Sequence, residues 1–129
     1  RKKELDATKV GHKIYEKYAL ILFDFDSAKI GGRNDEIMDA IAQRIKMLPN
    51  ARVGIIGHTD TIGTEEYNKE LSVRRAKSAY GKIASTLEDP SRIDWSGVGE
   101  NEPIYDNGTP EGRMLNRTVT ITLIYDSKG

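Results

Sequence analysis

The stretch GHTDTIGTEEYNKELSVRRA (57–76) sets a histidine and an aspartate directly after an apolar run, with two adjacent arginines further on. On a helical wheel Leu71, Arg75, Ala79, Ile83 and Leu87 share one stripe, whereas Arg74 falls with Lys77, Ser78, Lys82 and Ser85. Arg74 is therefore the solvent-facing arginine, and Arg75 is the one aimed at the core. A guanidinium stays charged at neutral pH, so burying it calls for a carboxylate or phosphate from the protein or from a ligand. Asp60, at the mouth of the preceding strand, is placed to supply that charge. Asn68, two helical turns before Arg75 on the same face, offers both a donor and an acceptor. The pattern leaves two chemistries open. One is a structural ion pair between Asp60 and Arg75; the other is a shared site for a zwitterion, with Asp60 taking an ammonium and Arg75 a carboxylate.

Other chemistries find less support in the residues. His58 beside Asp60 lacks a third metal ligand at suitable spacing, and the second histidine, His12, sits in a polar lead-in. His58 is expected instead at a strand end, hydrogen-bonded to backbone. A metal-dependent hydrolase built on His58 and Asp60 is accordingly the weakest alternative. No Gly-x-Ser-x-Gly nucleophile turn is present, and GVGENE (97–102) lacks the spacing of a dinucleotide loop, so it reads as a strand-ending turn. We expect no catalytic residues, no metal and no cofactor. Twenty basic and twenty acidic side chains cancel in 129 residues, so no electrostatic footprint for nucleic acid exists and any partner must be recognised locally. The longest apolar run, ALILF (19–23), is far short of a membrane span, and the absence of cysteine removes disulfides and thiolate zinc sites. The chain starts at Arg1 without a methionine, which is expected of a fragment or a processed chain.

These side chains need elements to hold them. Residues 1–17 read as a polar lead-in or linker end, and KYALILFDFDS (17–27) as a buried strand running into a turn. Ile37, Ile41, Ile45 and Leu48 recur at helical spacing after Asn34, a capping residue, and Pro49 forbids continuation. ARVGIIG (51–57) is a short strand closed by glycine, and a second helix runs from Glu65 or Asn68 to Leu87. RIDWSGVG (92–99) is a third strand, with Trp95 a packing residue. Residues 100–115 form an ordered loop with room for one helical turn. In NRTVTITLIYD (116–126), Val119, Ile121 and Leu123 alternate with threonines, the period of a half-covered strand. The resulting expectation is an α/β (α+β sandwich) fold in the order β-α-β-α-β-β, a mixed sheet packed by two main helices.

The sequence GHTDTIGTEEYNKELSVRRA closely resembles the signature of the OmpA-like domain, the module that anchors outer-membrane proteins, lipoproteins and flagellar stator proteins to peptidoglycan. Upstream, ILFDFDSAKI (21–30) is similar to that family's first strand and turn. Downstream, GVGENEPIYDNGTPEGRMLNRTVTI (97–121) resembles its closing loop and last strand. The resemblance implies a peptidoglycan-binding domain over residues 18–126, followed by a tail at 127–129. It implies non-catalytic binding of the peptide stem through diaminopimelate, with Asp60 and Arg75 clamping the zwitterion. It also brings in Phe25 and Asp26 at the first turn, Thr59, Asn68 and Leu71 as pocket walls, and Arg117 as a further contact. The partner so implied is peptidoglycan, in the bacterial periplasm, with outer-membrane association through segments outside this chain. The runner-up is a protein–protein scaffold in which Asp60 and Arg75 pair structurally and no ligand binds. One departure is visible: Thr118 follows Arg117 where the family commonly has a second arginine, on the opposite face of the strand from Arg117.

Overall fold

Alternating apolar residues and turn signals convert into strands largely where the pattern places them. The computed structural model describes residues 5–10, 12–21, 23, 28, 33–102 and 104–127. Within these, strands β1 (Leu5–Val10) and β2 (Lys13–Ile21) precede helix α1 (Arg33–Met47), strand β3 (Arg52–Gly57) and helix α2 (Glu65–Ala84). Strand β4 (Ile93–Gly97), the short helix α3 (Pro110–Leu115) and strand β5 (Thr118–Asp126) complete the order. The sheet runs β1-β2-β5-β3-β4, with β3 and β4 parallel and the other neighbours antiparallel. It is the expected mixed sheet with helices against it, with two additions. The segment read as a polar lead-in contains β1, which pairs Leu5 with Tyr18 and Val10 with Lys13. The loop expected over 100–115, with room for one helical turn, contains the helix α3, capped by Thr109, whose hydroxyl accepts from the Gly112 amide at 2.9 Å.

Helices α1 and α2 cover one face of the sheet. Met38, Ile41 and Ile45 of α1 and Ala76, Ala79 and Ile83 of α2 meet Val53 and Ile55 of β3 and Val119, Ile121 and Leu123 of β5 in one core. Asn34, expected as a cap, lies inside the first turn of α1. Helix α2 begins at Glu65, where the Thr64 hydroxyl accepts from the Tyr67 amide at 3.1 Å, and two glutamates occupy its positive first turn. The opposite face of the sheet carries Tyr15, Lys17, Ile56, Thr120 and Thr122, with Glu102 and Ile104 beside them. Thr118 and Thr120 are buried, so the upper end of β5 is covered on both faces and not on one.

The approach of α2 to the end of β3 sets the site. A Cβ on Gly57 would stand 2.0 Å from the Ser72 carbonyl oxygen, so only glycine lets helix and strand come this close. That contact carries the residues after Gly57 directly over the amino-terminal half of α2.

Candidate functional site

Past Gly57 the chain leaves β3 with its backbone already partnered. The His58 amide donates to the Thr118 carbonyl at 2.9 Å, and the Thr59 amide donates to the Gly99 carbonyl at 3.0 Å. His58 is the strand-end residue expected, its Nδ1 3.2 Å from the Glu102 carbonyl and its Nε2 3.4 Å from the Thr120 hydroxyl. A carbonyl only accepts, so Nδ1 carries the proton and Nε2 receives the hydroxyl of Thr120. Burial holds the imidazole below the ordinary histidine value, against the Glu102 carbonyl, which favours the charged ring.

On the other side of that backbone lies a pocket lined by Thr59, Asp60, Ile62, Tyr67, Asn68, Leu71, Arg75 and Arg117. Six of these, Thr59, Asp60, Asn68, Leu71, Arg75 and Arg117, are among the residues singled out from the sequence. The space between them is narrow, about 10 Å³, roughly one water molecule's worth. Phe25 and Asp26 lie outside the described residues.

The two charges at the centre are nearly inaccessible: Asp60 is 3% exposed and Arg75 1%. Arg75 sits on the buried stripe of α2 with Leu71, Ala79 and Ile83, while Arg74 is exposed, as the wheel requires. Arg75 donates from Nη1 to the His58 carbonyl at 3.0 Å, and its guanidinium lies 5.1 Å from the centre of the Phe23 ring. The charge partner the structure gives Asp60 is Arg117, whose Nε donates to Oδ2 at 2.9 Å. The Ile62 amide donates to Oδ1 at 3.1 Å, and the Asp60 carbonyl accepts from the Thr59 hydroxyl at 2.9 Å and from Asn68 Nδ2 at 3.2 Å. A carboxylate has about four lone-pair sites, so Asp60 retains acceptor capacity towards the pocket.

Several contributors escaped the sequence reading. Ile62 and Tyr67 complete the walls, and Phe23 forms a floor beneath Arg75. Asn116, fully buried, accepts at Oδ1 from the Ile104 and Tyr105 amides at 3.0 and 2.9 Å and donates from Nδ2 to the Tyr105 carbonyl and Asn107 Oδ1, each at 2.9 Å. It thereby pins the loop that precedes Arg117. Glu100 accepts from Asn68 Nδ2 at 2.9 Å. Their partners are nine to thirty-two residues away, a separation that no local spacing reveals. Among the described residues no group of three or more His, Asp or Glu side chains is placed to hold a metal ion.

Comparison with known proteins bears on this geometry. The family model described as the OmpA family matches residues 22–117. Outer membrane protein A of Bordetella avium is 39% identical over 106 residues, 82% of this chain and 55% of that protein. The peptidoglycan-binding protein ArfA of Mycobacterium tuberculosis is 38% identical over 103 residues, 80% of this chain and 32% of its own length. This chain thus spans about half of the first relative and about a third of the second. Among solved structures, the cell wall anchor of the T6SS from Pseudomonas aeruginosa superposes with a TM-score of 0.78 at 25% identity, covering 97% of this chain and 90% of that one.

Proposed function

The chain belongs to the OmpA family, and on that footing we propose that it binds the peptide stem of peptidoglycan without catalysis, tethering an envelope protein to the cell wall. At the finer level, the ligand group is the diaminopimelate zwitterion, with Asp60 receiving its ammonium and Arg75 its carboxylate. One observation carries this reading: a carboxylate and a guanidinium, both almost wholly buried, line the same small pocket. Diaminopimelate ends in an ammonium and a carboxylate on one carbon, the charge pattern complementary to that pair. The mycobacterial relative whose name states peptidoglycan binding adds support. No helix among the described residues is long and apolar enough to cross a membrane. The proposed setting is the periplasm, with membrane attachment through other parts of the whole protein.

Each charge-assisted contact contributes about 1.5–3 kcal/mol net, before the cost of ordering a flexible stem. Affinity for one stem should therefore be modest, and retention should come from the density of stems in the wall. The narrowness of the pocket implies that ligand entry moves a wall, and Ile62 (46% exposed) and Tyr67 (38% exposed) are the accessible walls.

A second reading has one observation in its favour. The Asp60 carboxylate is already held by Arg117 and the Ile62 amide, as a ligand-free scaffold would hold it. Co-sedimentation with insoluble diaminopimelate-type peptidoglycan separates the two. The parent should pellet with the wall, and Asp60→Ala and Arg75→Ala, checked for folding by circular dichroism, should stay in the supernatant. A parent that remains soluble beside the wall leaves the scaffold reading standing.

A further inference from the structure

Asn68 is 1% exposed, and both of its amide hydrogens are engaged. Nδ2 donates to the Asp60 carbonyl at 3.2 Å and to Glu100 Oε1 at 2.9 Å. Turning the amide over would set Oδ1 against two acceptors, so this pair of partners decides which way it faces. The Asp60 carbonyl is fixed by the backbone. Glu100 is the side chain that completes the choice.

Its position is built with some care. Glu100 follows Gly99, whose φ of +61° suits glycine and whose amide donates to the Ser72 hydroxyl at 2.8 Å. The Gly99 carbonyl accepts from the Thr59 amide at 3.0 Å, and the Asn101 amide closes the turn on the Val98 carbonyl at 3.1 Å. The turn after β4 is thus tied both to α2 and to the backbone beside Asp60. Nothing in that network requires an acid at position 100, because every bond in it except the one to Asn68 uses backbone groups or Ser72.

We infer that Glu100 is a positioning residue for the ligand site: by occupying Asn68 Nδ2 it fixes the amide with Oδ1 facing the Ile62–Gly63 side of the pocket, where that oxygen accepts from the ammonium of the ligand. Oδ1 lies 3.7 Å from where a Cβ on Gly63 would stand, next to Ile62, which lines the pocket. The inference rests on the zwitterion reading. It adds that the ammonium is received by two oxygens, the Asp60 carboxylate and the Asn68 carbonyl, and that an acid absent from the pocket lining sets the second.

Titration of the isotope-labelled domain with free meso-diaminopimelate, followed by nuclear magnetic resonance, tests this. Glu100→Ala frees the amide to turn, and binding should weaken about tenfold. Glu100→Gln keeps an acceptor oxygen and should bind within about twofold of the parent. In an Asn68→Ala background, Glu100→Ala should add no further loss, since its effect runs through Asn68. Equal binding by the parent and Glu100→Ala overturns the inference and leaves the clamp intact. A loss that persists without Asn68, or one that Gln does not restore, also overturns it, because Glu100 would then act on the ligand directly. A parent that binds neither diaminopimelate nor the wall overturns the clamp, and this inference with it.

Discussion

Removing the Arg117 guanidinium leaves the Asp60 carboxylate buried without its charge partner, and that is costly in a way surface substitutions are not. Arg117→Ala should lower stability by about 2 kcal/mol, the scale of a charged hydrogen bond. Arg74→Ala, on the exposed face of α2, should stay within about 0.5 kcal/mol of the parent. Urea unfolding of both variants checks the contrast, and equal losses would mean that the Asp60–Arg117 bond carries no weight. At this scale the sequence was informative about α2 and less so about pairing. Helical phase alone distinguishes Arg75 from Arg74, because the buried stripe recurs turn after turn at Leu71, Ala79 and Ile83. It says nothing of which cation meets Asp60. Arg117 reaches Asp60 across fifty-seven residues, through a strand register and a loop pinned by Asn116, and local spacing holds no record of either.

Elements fall where period and punctuation agree, and the close approach of α2 to β3 is the contact on which the site depends. Gly57→Ala would drive a Cβ to 2.0 Å from the Ser72 backbone, where nothing flexible can give way. It should cost about 3 kcal/mol or more and weaken ligand binding, because Asp60 and Arg75 would be spread apart. Gly54, on the same strand, has nothing within 4 Å of an added Cβ, so Gly54→Ala should be neutral or slightly stabilising. Thermal unfolding of the two variants side by side measures this; comparable losses would locate the cost in the strand itself and not at the helix. The buried stripe of α1 and the inward Val119, Ile121 and Leu123 of β5 were readable as period, and β3 as a short apolar run closed by Gly57. The burial of Thr118 and Thr120 was not. The amide of His58 donates to the Thr118 carbonyl, and its imidazole contacts the Thr120 hydroxyl, so part of their cover comes from a strand end distant in sequence. Strand β1 was unreadable for a related reason, since LDATKV has no strong alternation and becomes a strand by pairing with β2.

Across the whole molecule, one long-range cluster joins the N-terminal hairpin to the core. Glu16 of β2, on the helix-facing side and 5% exposed, accepts from Arg44 of α1 at Nε (3.0 Å) and Nη2 (2.5 Å), from the Tyr18 hydroxyl at 3.3 Å, and from the Tyr125 hydroxyl of β5. The Arg44 hydrogen bond, helped by the two tyrosines and opposed by burial, holds the Glu16 carboxyl below its ordinary value of 4.5. A depressed folded-state value means that this group's stabilisation is complete above 4.5 and is lost as pH falls through the lower, folded value. Glu16→Gln, which keeps the shape and removes the charge, should therefore be less stable than the parent by a constant amount from neutral pH down to about 5, with the gap closing in more acid solution. Arg44 is 37% exposed at its side chain, so solvent screening keeps the gap well below that of a fully buried pair. Urea unfolding of both proteins along a pH series measures the gap directly. A gap that persists unchanged into acid would show that shape, and not the Glu16 charge, ties β2 to α1 and β5. A gap that closes would mean that a segment of polar and charged residues is held to the fold by a charge whose partners stand 28 and 109 residues away, which is why composition alone assigns it to a linker.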